Sequence, residues 1–153
     1  MERDDGSTEP LLRTLTQGDL ARLVAIDTQH TGRRRGAWYE KRLERALLHS
    51  GVRISLGAEV DGTLVGALLG EVHYGEFGLV EPVAVLDTIL VDRAFTRQHI
   101  GAALLDQLSR NLQLLNIERI RTEVDWGQQD MLGFLARRGF APAPRLVLER
   151  TIR

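Results

Sequence analysis

Between Leu86 and Leu105 an apolar run passes through a short polar loop straight into an amphipathic helix. Leu86, Ile89, Leu90 and Val91 have the character of a buried strand, while Ile100, Leu104, Leu105, Leu108, Leu112 and Leu115 recur at helical spacing. A strand that feeds a helix through so few residues constrains the chain to a layered α/β arrangement. It also has chemical consequences. The N–H groups of the loop and of the first helical turn lack intrahelical acceptors, and the helix dipole adds positive character there. The segment is therefore a ready site for a phosphate or pyrophosphate.

The rest of the chain supplies the other layers. Leu11 to Leu15 reads as a short strand, and Thr16 to Asp19 as a capping box for a helix that carries Leu20, Leu23, Val24 and Asp27 and fades near His30. Beyond the polar turn Thr31 to Gly36, a second helix sets Tyr39, Leu43, Ala46 and Leu47 on one face, with Gly51 as its stop. Ile54, Leu56, Ala58 and Val60 alternate up to a tight Asp61-Gly62 turn, and Leu64 to Val72 returns as the second arm of a hairpin. After the Gly- and Glu-rich loop Tyr74 to Pro82 comes the strand Val83 to Val91, then the helix Ile100 to Asn116. Ile120, Thr122, Val124 and Trp126 alternate as a further strand, with Trp126 read as a core aromatic. A short helix, Gln128 to Arg138, is closed by Gly139, and Arg145 to Ile152 reads as a final strand. The expected order is β-α-α-β-β-β-α-β-α-β around a mixed central sheet, with residues 1–10 a flexible tail and 11–153 a single domain.

Composition excludes several function classes. At 153 residues the chain is sized for one core, and a net charge of -1 gives no basic field to recruit nucleic acid. Its apolar stretches are strand-length, so no membrane partner is expected, and the polar amino terminus lacks the apolar core of a secretory signal, which makes a cytoplasmic location the expectation. Cysteine is absent, which removes thiol nucleophiles, disulfides and cysteine-based metal sites. His30, His49 and His73 have no metal-ligand spacing, so they read as surface or local hydrogen-bonding residues and no metal is expected.

The segment Leu86 to Leu105, set in this element order, resembles the acyl-CoA-binding motif of the GNAT acetyltransferase superfamily. A second point of resemblance is the closing helix from Asp130 to Phe140, which ends Arg-Arg-Gly-Phe. In that family the loop reads Val-x-Pro-x-x-Arg-Gly-x-Gly-x-Gly. Anchored on Val91, the Pro position holds Arg93, the Arg position Thr96, and the first two Gly positions Arg97 and His99, while the last glycine is kept as Gly101. A shifted register, Gln98-x-x-Gly101-x-Ala103, fits a looser form of the motif. The resemblance implies that Thr96, Arg97, Gln98, His99, Ile100, Gly101, Ala102 and Ala103 cradle the pyrophosphate of acetyl-CoA. It further implies that Ile89, Leu90 and Val91 offer backbone groups to the pantetheine arm, that the N–H near Leu90 polarises the thioester carbonyl, and that Asp130 contacts the cofactor arm. Arg97 and His99 would either crowd the diphosphate or add favourable charge to it.

Acyl transfer to an amine needs a neutral nucleophile, a polarised carbonyl and a proton for the leaving thiolate. Family members commonly carry a carboxylate four residues before the motif valine, a position held here by Asp87. Asp is depleted in strands, so Asp87 reads either as the general base or as a residue paired with a neighbouring arginine. Glu71, Glu81, Glu123 and Asp125 are secondary choices for the base. The family's general acid, a tyrosine on the last helix, is replaced by Leu135, and the tyrosines present are Tyr39 and Tyr74. Arg33-Arg34-Arg35 reads as a solvated charge run or as an attractor for an anionic group. The resemblance thus implies an acetyl-CoA-dependent N-acetyltransferase acting by direct attack in a ternary complex on a primary amine, whether of a small molecule, a peptide amino terminus or a lysine, with a homodimer as one arrangement met among relatives. The missing tyrosine and loop glycines motivate an alternative, a non-catalytic acyl-CoA-binding or interaction module, and a third reading in which the fold binds no nucleotide.

Overall fold

The computed structural model describes residues 9–48, 54–96 and 98–153. Two compact units divide the chain, Met1–Glu123 and Val124–Arg153. The first holds a five-stranded sheet whose spatial order follows the chain: β1 (Leu11–Thr14), β2 (Leu56–Val60), β3 (Thr63–His73), β4 (Val83–Val91) and β5 (Ile120–Thr122). The first four pair antiparallel and β5 runs parallel to β4, so the sheet is mixed, as the sequence predicts. The helices are α1 (Leu20–Thr31), α2 (Gly36–Leu48) and α3 (Ile100–Leu114) in this unit, and α4 (Gln129–Arg137) in the second.

Local sequence accounts for most of the boundaries. The Asp61 and Gly62 backbones both have positive φ (50° and 78°), which is what a two-residue hairpin turn between right-twisted strands requires. Asp19 accepts the Thr16 N–H at 2.8 Å, as the capping pattern predicts, and a 3-10 turn at Gln17–Asp19 leads into α1. Gly32 ends α1 in the left-handed conformation, and Gly139 follows α4 at φ 91°. The expected stop of α2 at Gly51 lies outside the described residues, as do His49 and residues 1–8 of the expected tail.

Apolar alternation builds a core on each side of the sheet. Leu64, Ala67 and Leu69 of β3 and Leu90 of β4 pack with Leu23, Val24 and Ile26 of α1 and Tyr39, Leu43 and Ala46 of α2. On the opposite face, Ile100 and Leu104 of α3 lie over Gly66, and Leu108 and Leu112 continue the buried stripe.

Three expectations are corrected. The strand after α3 pairs only over Ile120–Thr122, because the chain turns at Trp126 and Gly127, with the Gln128 N–H bonded to the Asp125 carbonyl. Trp126 is therefore 92% exposed and no core aromatic. Leu115 falls outside α3 and is half-exposed, since Asn116 takes a left-handed φ of 56° and breaks the helical path. Arg145–Ile152 has the alternation of a strand but no ladder partner among the described residues, and its side chains Leu146, Val147, Leu148 and Ile152 are exposed. Alternation supplies two faces, whereas a strand exists only when its N–H and C=O groups are paired.

A buried carboxylate ties α1 to α2. Asp27 accepts Arg35 Nε at 2.9 Å, a second Arg35 nitrogen, and the Tyr39 hydroxyl at 2.9 Å. The Arg35 guanidinium rests over the Trp38 and Tyr39 rings at 5.4 and 5.7 Å. The Arg35 hydrogen bonds hold the Asp27 carboxyl below its usual range despite burial, and burial pushes the Tyr39 hydroxyl upward. For a carboxyl lowered in the folded state, the associated stability is fully present above the unfolded value near 4 and is lost as pH falls through the folded value. We expect Asp27→Asn to cost about 1–3 kcal/mol at pH 7. Urea midpoints measured from pH 7 to pH 3 should show the gap between wild type and variant closing on the acid side.

Candidate functional site

The site is built where β4 leaves the sheet for α3. Against β3, residues Ile89, Leu90 and Val91 pair with Leu68, Ala67 and Gly66, and the register slips at Asp87, between Thr88 opposite Leu69 and Leu86 opposite Gly70. Asp87 is the extra residue of a β-bulge, a place where a strand re-aims one side chain. On the other side, β5 pairs only with Ala84, Val85 and Leu86, so Asp87 to Val91 have no ladder partner there among the described residues.

One hydrogen bond fixes which backbone groups face that open edge. The Asp92 N–H donates to the Val65 carbonyl at 2.8 Å. In an antiparallel ladder paired residues alternate between facing the partner strand and facing away. Asp92 and Leu90 therefore direct their amide groups at β3, whereas Val91 and Ile89 direct theirs outward. By this alternation the Leu90 N–H faces β3 and its side chain lies in the core, and the outward amides near it are those of Ile89 and Val91.

Asp92 anchors the start of the loop. Its carboxylate accepts Arg22 at 2.8 Å and the Ala94 N–H at 3.0 Å, capping a 3-10 turn at Arg93–Phe95. Burial works to raise its pKa, but the bonds from Arg22 and Ala94 outweigh it and hold the group below the ordinary carboxylate range. From the last turn of α1, Gln29 accepts the Arg93 N–H at 3.1 Å, and His30 Nε2 lies 2.7 Å from the Val91 carbonyl oxygen. Sequence reasoning missed Asp92 and Gln29. An Asp directly after a strand and two residues before Ala94 was the available signal, since that is the pattern of a side chain capping a turn.

The loop then winds into α3. Thr96 Oγ1 donates to the Arg93 carbonyl at 3.2 Å, the Gln98 N–H donates to Phe95, and Arg97 lies outside the described residues. His99 is the N-cap, in the left-handed conformation (φ 59°) and with no side-chain cap bond. Ile100, Gly101 and Ala102 thus form a helical first turn whose N–H groups are not claimed by the cap residue's side chain. Ala103 is already within the ladder, its N–H donating to His99 at 3.0 Å. A Cβ built on Gly66 would come 2.7 Å from Ile100 Cγ2 and 3.2 Å from the Leu90 carbonyl oxygen. Only a bare backbone there lets α3 start so close to β4.

Asp87 itself is partly open, with 41% of its side chain exposed. Arg42 Nε donates to Oδ2 at 2.7 Å and Thr88 Oγ1 to Oδ1 at 2.9 Å. Of the secondary choices, Glu71 lies nearby and is bonded by Arg45, while Glu81 stands in the bend before β4, Glu123 ends the first unit and Asp125 belongs to the second. Asp130 stands in the first turn of α4, within the second unit, and Leu135 is the buried residue of that helix. No group of three metal-ligating side chains forms among the described residues, and no described helix is long and apolar enough to cross a membrane.

Residues 20–140 match the acetyltransferase (GNAT) family model, a span that contains the strand, the loop and α3. The chain belongs to the acetyltransferase (GNAT) family. It is thus an acetyltransferase by family, and its mixed sheet flanked by helices is the fold of its structural neighbours. No curated protein matches its sequence. Among solved structures, the GNAT chain is similar to a transcriptional regulator from Bacillus halodurans C-125 at 18% identity and a TM-score of 0.76, over 94% of this chain and 99% of that one. It is similar to the aminoglycoside N-acetyltransferase AAC(6')-Iy in complex with CoA at 16% identity and a TM-score of 0.77, covering 93% and 94%. A ribosomal-protein-alanine N-acetyltransferase from Brucella melitensis biovar Abortus 2308 aligns at 19% identity with a TM-score of 0.72, covering 94% and 99%. At these identities the likeness is one of fold.

The backbone at His99 is left-handed, a conformation histidine tolerates and β-branched residues resist. Replacing His99 by Gly should leave the melting temperature within about 3 °C of wild type, whereas His99→Val should lower stability by about 1–2 kcal/mol. Gly66→Ala should destabilise by about 1–3 kcal/mol through overpacking against Ile100, read from denaturant midpoints.

Proposed function

We propose that this GNAT chain transfers an acetyl group from acetyl-CoA to a primary amine by direct attack in a ternary complex. The observation that carries the reading is the junction of an outward-facing β4 edge with a helix start left uncapped by its own N-cap side chain. Within the segment Thr96 to Ala103, the N–H groups of Ile100, Gly101 and Ala102, unclaimed by a cap side chain, cradle the coenzyme's diphosphate and are assisted by the α3 dipole. Flanking Leu90, the N–H and C=O of Ile89 and the N–H of Val91 face outward to the pantetheine arm, and an amide at this edge polarises the thioester carbonyl as charge develops on its oxygen. Asp130 contacts the cofactor arm by the family pattern.

Asp87 accepts the proton that the ammonium or amine must lose, directly or through water. It is the partly exposed carboxylate at the bulge, beside the outward edge of β4. With Leu135 apolar and buried, no side chain at the family's tyrosine position donates to the thiolate, and solvent fills that role. The same leucine favours a second reading, binding of acyl-CoA without turnover. The acceptor class is a primary amine. The fold likeness to proteins named for aminoglycoside and for ribosomal-protein-alanine acetylation supports a small molecule or a peptide amino terminus.

Calorimetric titration with acetyl-CoA, followed by thiol release over an amine panel, tests the proposal. Binding should raise the melting temperature by several degrees at saturating ligand. Gly101→Glu should abolish that rise, since a carboxylate would enter the diphosphate cradle. Asp87→Asn should lower kcat about 10²-fold or more while leaving acetyl-CoA affinity within about 3-fold. No binding by wild type overturns the reading, and binding without release over the whole panel establishes the second one.

A further inference from the structure

The proton acceptor at the β4 bulge is gripped by a residue that lies far away in the chain. Arg42 on α2 is only 5% exposed, and its Nε donates to Asp87 Oδ2 at 2.7 Å. Its Nη1 stands 3.7 Å from Glu71 Oε1, beyond hydrogen-bonding reach, while Arg45 bonds that same Glu71 oxygen. Both terminal nitrogens of Arg42 are buried without a hydrogen-bond partner. A buried guanidinium whose two terminal nitrogens make no hydrogen bond is costly. A core leucine at this position of α2 would avoid that cost entirely. Structural economy therefore does not explain why a guanidinium is buried here.

Position in the site does explain it. A β-bulge re-aims a side chain but does not hold it, and Asp87 is a short carboxylate with two-fifths of its surface in solvent. Thr88 Oγ1 steadies Oδ1 and Arg42 steadies Oδ2, so that the carboxylate plane is fixed by two donors from different elements. We propose that Arg42 is a positioning residue for Asp87, fixing the orientation in which that carboxylate meets the acceptor amine. The inference rests on the acetyltransferase reading above. It adds a residue from α2, outside the strand-loop-helix segment, to the residues on which the transfer step depends.

A double-substitution cycle tests it, with thiol release from acetyl-CoA measured for the best amine of the panel and for water alone. Arg42→Met should lower kcat about 10–10²-fold, with acetyl-CoA affinity within about 3-fold of wild type. In an Asp87→Asn background the same substitution should add less than about 3-fold, because the residue acts through that carboxylate. Arg42→Lys, which keeps the charge but loses the planar Nε donor, should fall between the two. Losses that multiply independently would overturn the proposal, as would a kcat for Arg42→Met equal to wild type. If Arg42→Met fails to fold, the Arg42→Lys cycle decides by the same criteria. Absence of acetyl-CoA binding by wild type would instead end the acetyltransferase reading, a result distinct from independence of the two substitutions in an active protein.

Discussion

Ile100 sits on bare backbone. The missing side chain at Gly66 lets the first turn of α3 settle within van der Waals reach of β3 and β4, and nearly everything of functional interest follows from that contact. It sets how few residues the connection from β4 can use, and it brings uncapped helical amides beside the outward edge of a strand. His99, in the left-handed conformation, is the residue through which the chain enters that helix. Backbone geometry, more than side-chain identity, carries the proposed diphosphate cradle.

Four aspartates define a second layer of organisation, each held by an arginine from elsewhere. Asp19 meets Arg13, Asp27 meets Arg35, Asp92 meets Arg22 and Asp87 meets Arg42. Three of these acids are buried, and burial of an unpaired carboxylate would be prohibitive, so the pairs fix β1 to the turn before α1, α1 to the turn before α2, and α1 to the end of β4. Only Asp87 keeps substantial solvent access, and it is the one that stands at a bulge. Fixed on one side and open on the other, it differs from its three counterparts in the way a reacting group differs from a tether.

Local signals made much of this legible in the sequence. Asp61-Gly62 has one good conformational solution, Thr16 and Asp19 sit at capping distance, and the apolar periods of the segment from Leu86 to Leu112 announce strand and helix without ambiguity. Pairings across the chain were invisible: Arg22 and Asp92 are 70 residues apart and Arg42 and Asp87 are 45 apart. No spacing rule connects such residues until the fold does. The phase of the β4 amides was hidden for a related reason. It depends on which strand lies beside β4 and in what register, and the ladder bond from Asp92 to Val65 is what settles that. The segment Arg145–Ile152 shows the converse, a strand-like pattern that finds no partner among the described residues.

The imidazole at the end of α1 has a consequence outside chemistry. A strand flank with free carbonyls and amides invites extended segments of other molecules to add to it, and proteins commonly guard such flanks against self-association. His30 and Gln29 engage the Val91 carbonyl and the Arg93 N–H, so the far end of β4 is already occupied by the protein's own side chains. An intruding polypeptide would have to displace both to extend its hold past Ile89. A flexible ligand arm that needs only one or two of the remaining groups would not, and the flank can stay receptive to small partners while resisting fibrous ones.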